Sequence, residues 1–452
     1  MKNKFIQNVL RAIAGLLWLT IFAFLLWPDS KPDQDHENWI SVKLPDVPEQ
    51  ENAFFSIAGF VSKQQDAHKT GIEYVRRHND IIKKFARNDI FNSFEEAQEE
   101  IDKIWGETED QSLDLLIDQF CKPELEKNCL PAWQKNRDKI DEAVLRYEFH
   151  VTRYLALHDF SQYQNDISPS HFHEPHYFRM IIQAQLLLLA QAGSQFTIQP
   201  DASGKFLQED MEFSRMIFEQ SDSLLDQIKA FALFRNALAV RNSLIMTYPQ
   251  QAGLEKLGSL DVAGPNFAAI MRREAKYMIY SAETFKSAEW TMSILYPLLY
   301  KKNMTRGKIS EIYQQFAQWS KLTPAEFYSL DDQISYAEPA PIDYFTDPIG
   351  SVYGSLAIPD YGAYLGYIHD LNGEIALSNL LLHAMRAGIS DAELEAFGEH
   401  NINLYHNPYT GGAFTWKDQN KMVCFQGYRE EKCIRRSKGT APAKEELDNQ
   451  QP

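Results

Sequence analysis

An uncharged apolar run of 16 residues, Ala12–Trp27, constrains this chain more than any other part of its sequence. As a helix it would be about 24 Å long at about 1.5 Å per residue, which is short of the ~30 Å hydrocarbon core of a bilayer. Val9 and Leu10 lengthen the apolar stretch, and the long side chain of Arg11 can reach the headgroups. The run therefore predicts a transmembrane signal-anchor in residues 1–28.

A cleaved secretory signal is the alternative interpretation of the same run, because such signals have apolar regions of about 7 to 15 residues followed by a small-x-small site. Residues 28–32 contain no Ala-x-Ala-like site, so we favour an uncleaved anchor. Lys2, Lys4 and Arg11 precede the run, and acidic residues follow it. This asymmetry predicts a cytoplasmic N-terminus, with residues 29–452 outside the cytoplasm. We therefore expect a single-pass bacterial inner-membrane protein with most of its chain in the periplasm.

The composition of the remaining chain is that of a globular protein. Apolar residues make up 44% of the sequence and charged residues 24%, which is enough apolar material for a large core. The formal net charge of −17 argues against nucleic acid or an anionic lipid surface as the main partner.

The four cysteines form two close pairs in sequence, Cys121 with Cys129 and Cys424 with Cys433. In an oxidising compartment four cysteines allow three pairings, and the local pairing would close two small loops. A zinc site is the alternative, but neither pair has the Cys-x2-Cys spacing of a zinc knuckle. We therefore predict structural disulfides.

Hydrophobic periodicity predicts a mainly α protein, a membrane-anchored irregular helical bundle with a small C-terminal β-hairpin; a helical solenoid is the alternative. Residues 29–53 are rich in proline and acids and are predicted to be a flexible tether. The predicted helical domain covers 54–335. Residues 336–436 are predicted to hold a loop, further helices and the hairpin, and 437–452 a disordered tail.

Several helices are predicted individually. One long helix is expected from Pro131 to His158, because apolar residues recur there at steps of three and four. The apolar segment Met180–Ala192 is too short to span a membrane and is predicted to be a buried helix. Thr323 and Glu326 form a capping box, and a further helix is expected over 360–388.

The end of the chain changes from helical to strand periodicity. The turn-forming residues Asn407–Gly412 precede two short candidate strands, Ala413–Trp416 and Met422–Phe425. A two-stranded hairpin is marginal alone, so it is expected to pack on the helices or to be held by Cys424.

Histidines are concentrated in the segment His171-Phe-His-Glu-Pro-His176. Imidazoles two residues apart on an extended segment point the same way, so His171, His173 and His176 could bind Zn or Cu, with Glu174 as a further ligand or base. The alternative is a polar loop before a helix that starts at Pro175. The spacing is not that of the His-Glu-x-x-His metalloprotease helix.

Tyrosines are concentrated between residues 343 and 367, and Tyr353, Tyr361, Tyr364 and Tyr367 are predicted to bind a protein partner if exposed. The alternative is that their rings pack the segment onto the bundle. Since the sequence contains no complete catalytic constellation, we expect a non-catalytic protein without a cofactor that binds other envelope proteins, as an assembly factor, a secretion-associated chaperone or a toxin inhibitor. The alternative is a periplasmic metal-binding protein or metal-dependent hydrolase that uses the His171–His176 segment.

Overall fold

The structure is a computed structural model, and its described part is mainly helical with a small antiparallel sheet at the C-terminal end. Besides Arg11, Ala14 and Gly15, the structure describes residues 28–42, 46–87, 94–105, 120–123, 127–170, 177–251, 254–260, 265–284, 300–331, 343–356 and 361–436. The predicted tail at 437–452 lies outside these residues.

Helices and strands are numbered here in chain order over the described residues. The helices of the first half are α1 Gln34–Ser41, α2 Ala53–Ala58, α3 Ala67–Arg87, α4 Phe94–Trp105, α5 Leu130–Lys135, α6 Arg137–Arg146, α7 Glu148–Leu157 and α8 Tyr177–Gln195. Those of the second half are α9 Pro200–Gln220, α10 Leu224–Thr247, α11 Pro265–Thr284, α12 Lys302–Trp319, α13 Pro324–Asp331, α14 Asp343–Thr346, α15 Pro348–Leu356, α16 Tyr361–Arg386 and α17 Leu394–His400. The strands are β1 Thr415–Lys417, β2 Met422–Gln426 and β3 Glu431–Arg435.

The helix predicted between Pro131 and His158 is interrupted, and the prediction of one continuous helix is wrong. It consists of α5, α6 and α7, which meet at Asn136 and Tyr147. The Asn136 side chain donates a hydrogen bond to the carbonyl of Ala132 (2.8 Å), and this local bond competes with the regular helical pattern. The apolar stripe is nevertheless buried as predicted, for example at Tyr154.

Helix α8 is the central element of the first half of the bundle. It contains the predicted buried segment Met180–Ala192 and packs against α5, α6 and α7 as well as against α9 and α10. Near its C-terminal end a Cβ on Gly193 would lie 2.6 Å from the Trp133 ring, so the absence of a side chain allows α5 to approach closely.

Helices α10 and α16 run parallel to each other through the second half of the bundle. Gln227 contacts Tyr364 near their starts, and Gln250 contacts Arg386 near their ends. Two parallel helices need a connection that returns along their length, and residues 248–360 supply it. We call the contact between these helices the α10–α16 seam. The helix predicted over 360–388 is confirmed as α16.

The predicted C-terminal hairpin is a three-stranded antiparallel sheet in the order β1-β2-β3. The two predicted strands are present with slightly different ends. Strand β3 was not predicted, because its sequence Glu-Lys-Cys-Ile-Arg is mostly polar and lacks the apolar alternation of a typical strand. The sheet covers one face of α16. A Cβ on Gly373 would overlap the Phe425 ring, and one on Gly366 would overlap Tyr428. The two glycines therefore allow the sheet to approach the helix closely.

Most of the predicted tether at 29–53 has defined structure. Asp33 caps α1, and Glu37 in that helix forms an ion pair with Arg306 of α12 (2.7 Å). The carboxylate of Asp29 accepts hydrogen bonds from the backbone N–H groups of Asn303 (3.0 Å) and Met304 (3.1 Å). This segment is therefore attached to the start of α12.

One cluster of buried hydrophobic side chains extends from Ile40 in α1 to Ile434 in β3. The predicted segments 54–335 and 336–436 thus share a core. Within the described residues no helix combines the length and apolarity needed to cross a bilayer. Of the predicted span Ala12–Trp27 the structure describes only Ala14 and Gly15.

Candidate functional site

A group of buried ionisable side chains lies where the C-terminal sheet covers α16. Asp370 and Glu374 are one helical turn apart on α16, so their side chains lie on the same face of the helix. Asp370 is 2% exposed and Glu374 is also 2% exposed. Because unpaired buried carboxylates are costly, the contacts of these two residues decide what this site can do.

Asp370 is held by groups from the C-terminal segment. One of its oxygens accepts hydrogen bonds from the Tyr409 hydroxyl (2.7 Å) and from the backbone N–H of Tyr428 (2.8 Å). The Lys432 ammonium lies 3.7 Å from the other oxygen. Burial raises the pKa of Asp370, and the hydrogen bonds from Tyr409 and Tyr428 oppose that rise. Asp370 therefore connects α16 to the turn segment and to the sheet.

Glu374 joins the two helices of the seam. One of its oxygens lies 3.3 Å from the guanidinium of Arg235 on α10, and the other has no hydrogen-bond partner among the described residues. Burial raises the pKa of Glu374 to about 7, against the attraction of Arg235 and Lys432. Near neutral pH this carboxyl group can therefore gain or lose a proton.

A pair of carboxyl groups with different environments is the arrangement that general acid–base catalysis uses. Catalysis also requires that a substrate reach the carboxyl groups. Asp370 and Glu374 are covered by Tyr409, Tyr428 and Lys432, and a substrate could reach them only if the sheet moved. In this arrangement the contacts of Asp370 hold the C-terminal sheet against α16, and the contact of Glu374 with Arg235 holds α10 against α16.

A second polar layer of the seam surrounds Arg241 of α10. Its guanidinium is 2% exposed and donates hydrogen bonds to the Ser378 hydroxyl, the Asn379 side-chain oxygen (3.4 Å) and the Glu255 backbone carbonyl (2.7 Å). Burial and the nearby Arg386 lower the pKa of Arg241 to about 9. All three acceptors are neutral oxygens, so none of these hydrogen bonds compensates the positive charge with a carboxylate.

A third polar group lies in the first half of the bundle, around Asp210 of α9. It accepts hydrogen bonds from the Tyr154 hydroxyl (2.5 Å) and the Gln185 amide (2.8 Å), and His158 lies 3.6 Å away. The His158 side chain is 7% exposed, so this histidine at the end of the predicted helix lies in the core. Because Asp210 is fully buried, these contacts connect α7, α8 and α9 in the interior.

The four cysteines form the two local pairs that sequence spacing indicated. Cys121 is bonded to Cys129, and Cys424 to Cys433. Cys424 and Cys433 are directly opposite each other on β2 and β3, so their disulfide links the strands of the C-terminal sheet.

The predicted metal ligands His171, His173, Glu174 and His176 lie outside the described residues. Zn or Cu binding by this segment stays a prediction, and metal analysis of the purified protein tests it. Among the described residues, one group has metal-like spacing: the Cys424 and Cys433 sulfurs with the Glu431 carboxylate. Both sulfurs are engaged in a disulfide, so this group does not offer thiolate ligands.

The predicted partner-binding tyrosines occupy different environments. Tyr361 is buried with its hydroxyl 3.2 Å from that of Tyr313, and Tyr364 is partly buried with its hydroxyl donating to Gln227 (3.0 Å). The Tyr367 side chain is 38% exposed, and the Lys432 ammonium lies 5.9 Å from the ring centre. The side chain of Tyr353 lies outside the described part. Of these tyrosines, Tyr367 has a ring that the structure places at the surface.

The sequence analysis missed Asp370, Glu374 and Arg241. A signal for all three was present, since each is a charged residue within a long apolar helix. Their partners could not be inferred, because contacts such as Arg235 with Glu374 join residues 139 positions apart. Comparisons with protein-family models, with curated proteins and with solved structures found no match to this chain.

Proposed function

We propose that this chain is a single-pass bacterial inner-membrane protein whose large periplasmic helical domain binds other envelope proteins and catalyses no reaction. The N-terminal apolar run, its basic flank and the paired cysteines support this topology. The burial of the ionisable groups around Glu374 supports a structural use of these groups.

An exposed apolar surface beside the α10–α16 seam carries the proposal. Leu225 and Ile228 lie three residues apart on α10 and are each 42% exposed, and Tyr367 on α16 is 38% exposed. Phe231 follows Ile228 by one helical turn and Arg235 follows it by two, so these residues lie on the same face of α10. Arg235 on this face contacts Glu374 of α16. The two helix faces therefore border one surface, which we call the seam face (Leu225, Ile228 and Tyr367).

The seam face has the composition of a protein-binding surface. Tyrosine supplies a large contact area with few rotatable bonds, and aliphatic side chains beside it can fill apolar pockets of a partner. Lys229 and Arg235 lie near these apolar residues on α10, and each is in an ion pair, with Asp226 (3.6 Å) and Glu374 (3.3 Å). A segment of an envelope protein that presents apolar side chains is therefore the partner we propose.

Site-specific photo-crosslinking in intact cells tests the seam face. A photoreactive amino acid at Ile228 or Tyr367 should give a discrete adduct with one protein. The same amino acid at Leu145, which is 73% exposed on α6, should not give this adduct. Ile228→Asp should abolish the adduct formed from position 367, whereas Leu145→Asp should leave it unchanged.

Adducts of equal yield from all three positions, or adducts that persist in Ile228→Asp, would show that the seam face is not the interface. The topology is tested separately, by protease treatment of spheroplasts. Digestion of the helical domain without lysis is expected, and full protection would contradict a periplasmic location.

A further inference from the structure

A cavity of about 160 Å³ opens beside Arg241, away from the seam face. Its apolar walls come from α9 and α10, and the loop 254–258 closes another side. The residues that line it are Leu207, Gln208, Met211, Glu212, Arg215, Phe234, Arg241, Glu255, Lys256, Leu257 and Gly258. The cavity thus combines an apolar interior with several charged groups.

The loop beside the cavity is fixed by side chains of the neighbouring helices. The Asn379 side chain of α16 makes two hydrogen bonds with the backbone of Leu257. Its oxygen accepts from the Leu257 N–H (3.0 Å), and its NH2 group donates to the Leu257 carbonyl (2.8 Å). Arg215 of α9 donates to the carbonyl of Gly258 from the other side. These contacts hold the loop in place, so the cavity is preformed.

Arg241 is the buried polar group of this cavity. A guanidinium has five N–H donors, and the described residues accept hydrogen bonds from three of them. Two donors therefore remain for another acceptor. A buried cation without a bonded carboxylate is unfavourable, because burial removes its hydration. An anion in the cavity would supply both the missing acceptors and the missing charge.

The charges around the cavity set the charge of the anion. Three cations, Arg215, Arg241 and Lys256, line it together with two carboxylates, Glu212 and Glu255. One positive charge is left over. Of these five groups Arg241 is the one that is buried, so the excess charge is located at the inner wall.

We propose that this cavity binds a small monocarboxylate with an aromatic or branched aliphatic body, whose carboxylate pairs with Arg241. A planar guanidinium matches the two oxygens of a carboxylate. The apolar body would contact Leu207, Met211 and Phe234. A cavity of about 150 Å³ in another protein holds one benzene molecule, which sets the size of the ligand.

Calorimetry and thermal unfolding of the purified full-length chain with benzoate, and with isobutyrate as a second probe, test this proposal. Benzyl alcohol has a similar shape and no charge. Saturable benzoate binding is expected, with an affinity about 10- to 100-fold higher than that of benzyl alcohol, since a charged hydrogen bond is lost in the alcohol. Benzoate should also raise the melting temperature.

Met211→Trp fills the cavity and keeps Arg241, so it should fold and lose benzoate binding. Leu207→Trp serves as a second cavity-filling variant if Met211→Trp does not fold. Three results would overturn the proposal: no saturable binding of either carboxylate, equal binding of benzyl alcohol and benzoate, or unchanged benzoate binding in a folded cavity-filling variant.

Discussion

Replacing Gly366 with alanine tests whether the C-terminal sheet depends on close packing against α16. A Cβ at this position would overlap three atoms of the Tyr428 ring, and the farthest of the three would be only 2.8 Å away. Ordinary carbon–carbon contacts are about 3.5–4.0 Å, so the ring would have to move by about 1 Å. Tyr428 is buried, and its N–H is bonded to Asp370, so this movement also strains the contact that holds the sheet.

The expected magnitude follows from two opposing effects. Overpacking of a core costs about 1–3 kcal/mol, and the rigid surroundings of Tyr428 favour the upper end of that range. Exchange of glycine for alanine inside a helix stabilises it by about 1 kcal/mol. The net loss of unfolding free energy for Gly366→Ala is therefore about 2 kcal/mol. Detachment of the sheet leaves α16 helical, so the equilibrium for opening the sheet changes by the overpacking cost alone, about 3 kcal/mol or about 150-fold.

Reduction of the Cys424–Cys433 disulfide reports this opening. Cys424 is fully buried and Cys433 is 9% exposed, so a reductant reaches them mainly when the sheet detaches. Alkylation followed by mass spectrometry gives the rate of reduction with dithiothreitol. We expect the rate at this bond to rise about 150-fold in Gly366→Ala, and the rate at Cys121–Cys129 to stay constant.

Gly398→Ala is the matched control, because a Cβ there would have as its nearest neighbour Leu380 Cδ2 at 3.9 Å. This variant should be unchanged or up to about 1 kcal/mol more stable. If Gly366→Ala reduces at the wild-type rate and melts at the wild-type temperature, the argument from close packing is refuted.

Two further predictions concern the buried carboxyl groups. Burial raises the pKa of Glu374 from 4.5 to about 7, so protonated Glu374 stabilises the fold fully below pH 4.5, and this contribution is lost as the pH rises through 7. The difference in unfolding free energy between wild type and Glu374→Gln should therefore fall by about 3 kcal/mol across this range, as measured by denaturation at several pH values; a constant difference would contradict the raised pKa. Asp210→Ala should lower the free energy of unfolding by about 3–5 kcal/mol, because it leaves the Tyr154 hydroxyl and the Gln185 amide without their acceptor. Tyr154→Phe should lower it by about 1–3 kcal/mol. Denaturant midpoints measure both losses of unfolding free energy, and equal small losses would contradict the role of Asp210 as the shared acceptor.

Features of the fold that depend on neighbouring residues could be predicted from the sequence. Glu326 donates its N–H to the Thr323 hydroxyl (3.3 Å) and accepts from the Thr323 N–H (2.9 Å), as the predicted capping box requires. The signal that ends α16 is also local in sequence. Gly388 follows the helix with a φ of +70°, a conformation that favours glycine. In both places the residues that determine the structure lie within one turn of each other.

Features that depend on distant residues could not be predicted in the same way. The interruption at Asn136 results from a side chain that bonds its own helix, and the apolar stripe gave no indication of it. Strand β3 is polar and becomes a strand through pairing with β2. The positions of Glu374 and Arg241 depend on which helix packs beside which, and periodicity within one helix contains no information on that choice.

The hydrogen bonds of Asp29 have a consequence for how the proposed anchor would carry the domain. Only Pro28 separates Asp29 from Trp27, the end of the proposed span, and Asp29 is fixed to the start of α12. A flexible tether of 25 residues would let a domain range over about 25–30 Å. Because Asp29 is hydrogen-bonded to the start of α12, the distance and the angle between the domain and the bilayer would instead vary little. A partner would then be selected by where its own binding segment stands relative to the membrane, as well as by its side chains.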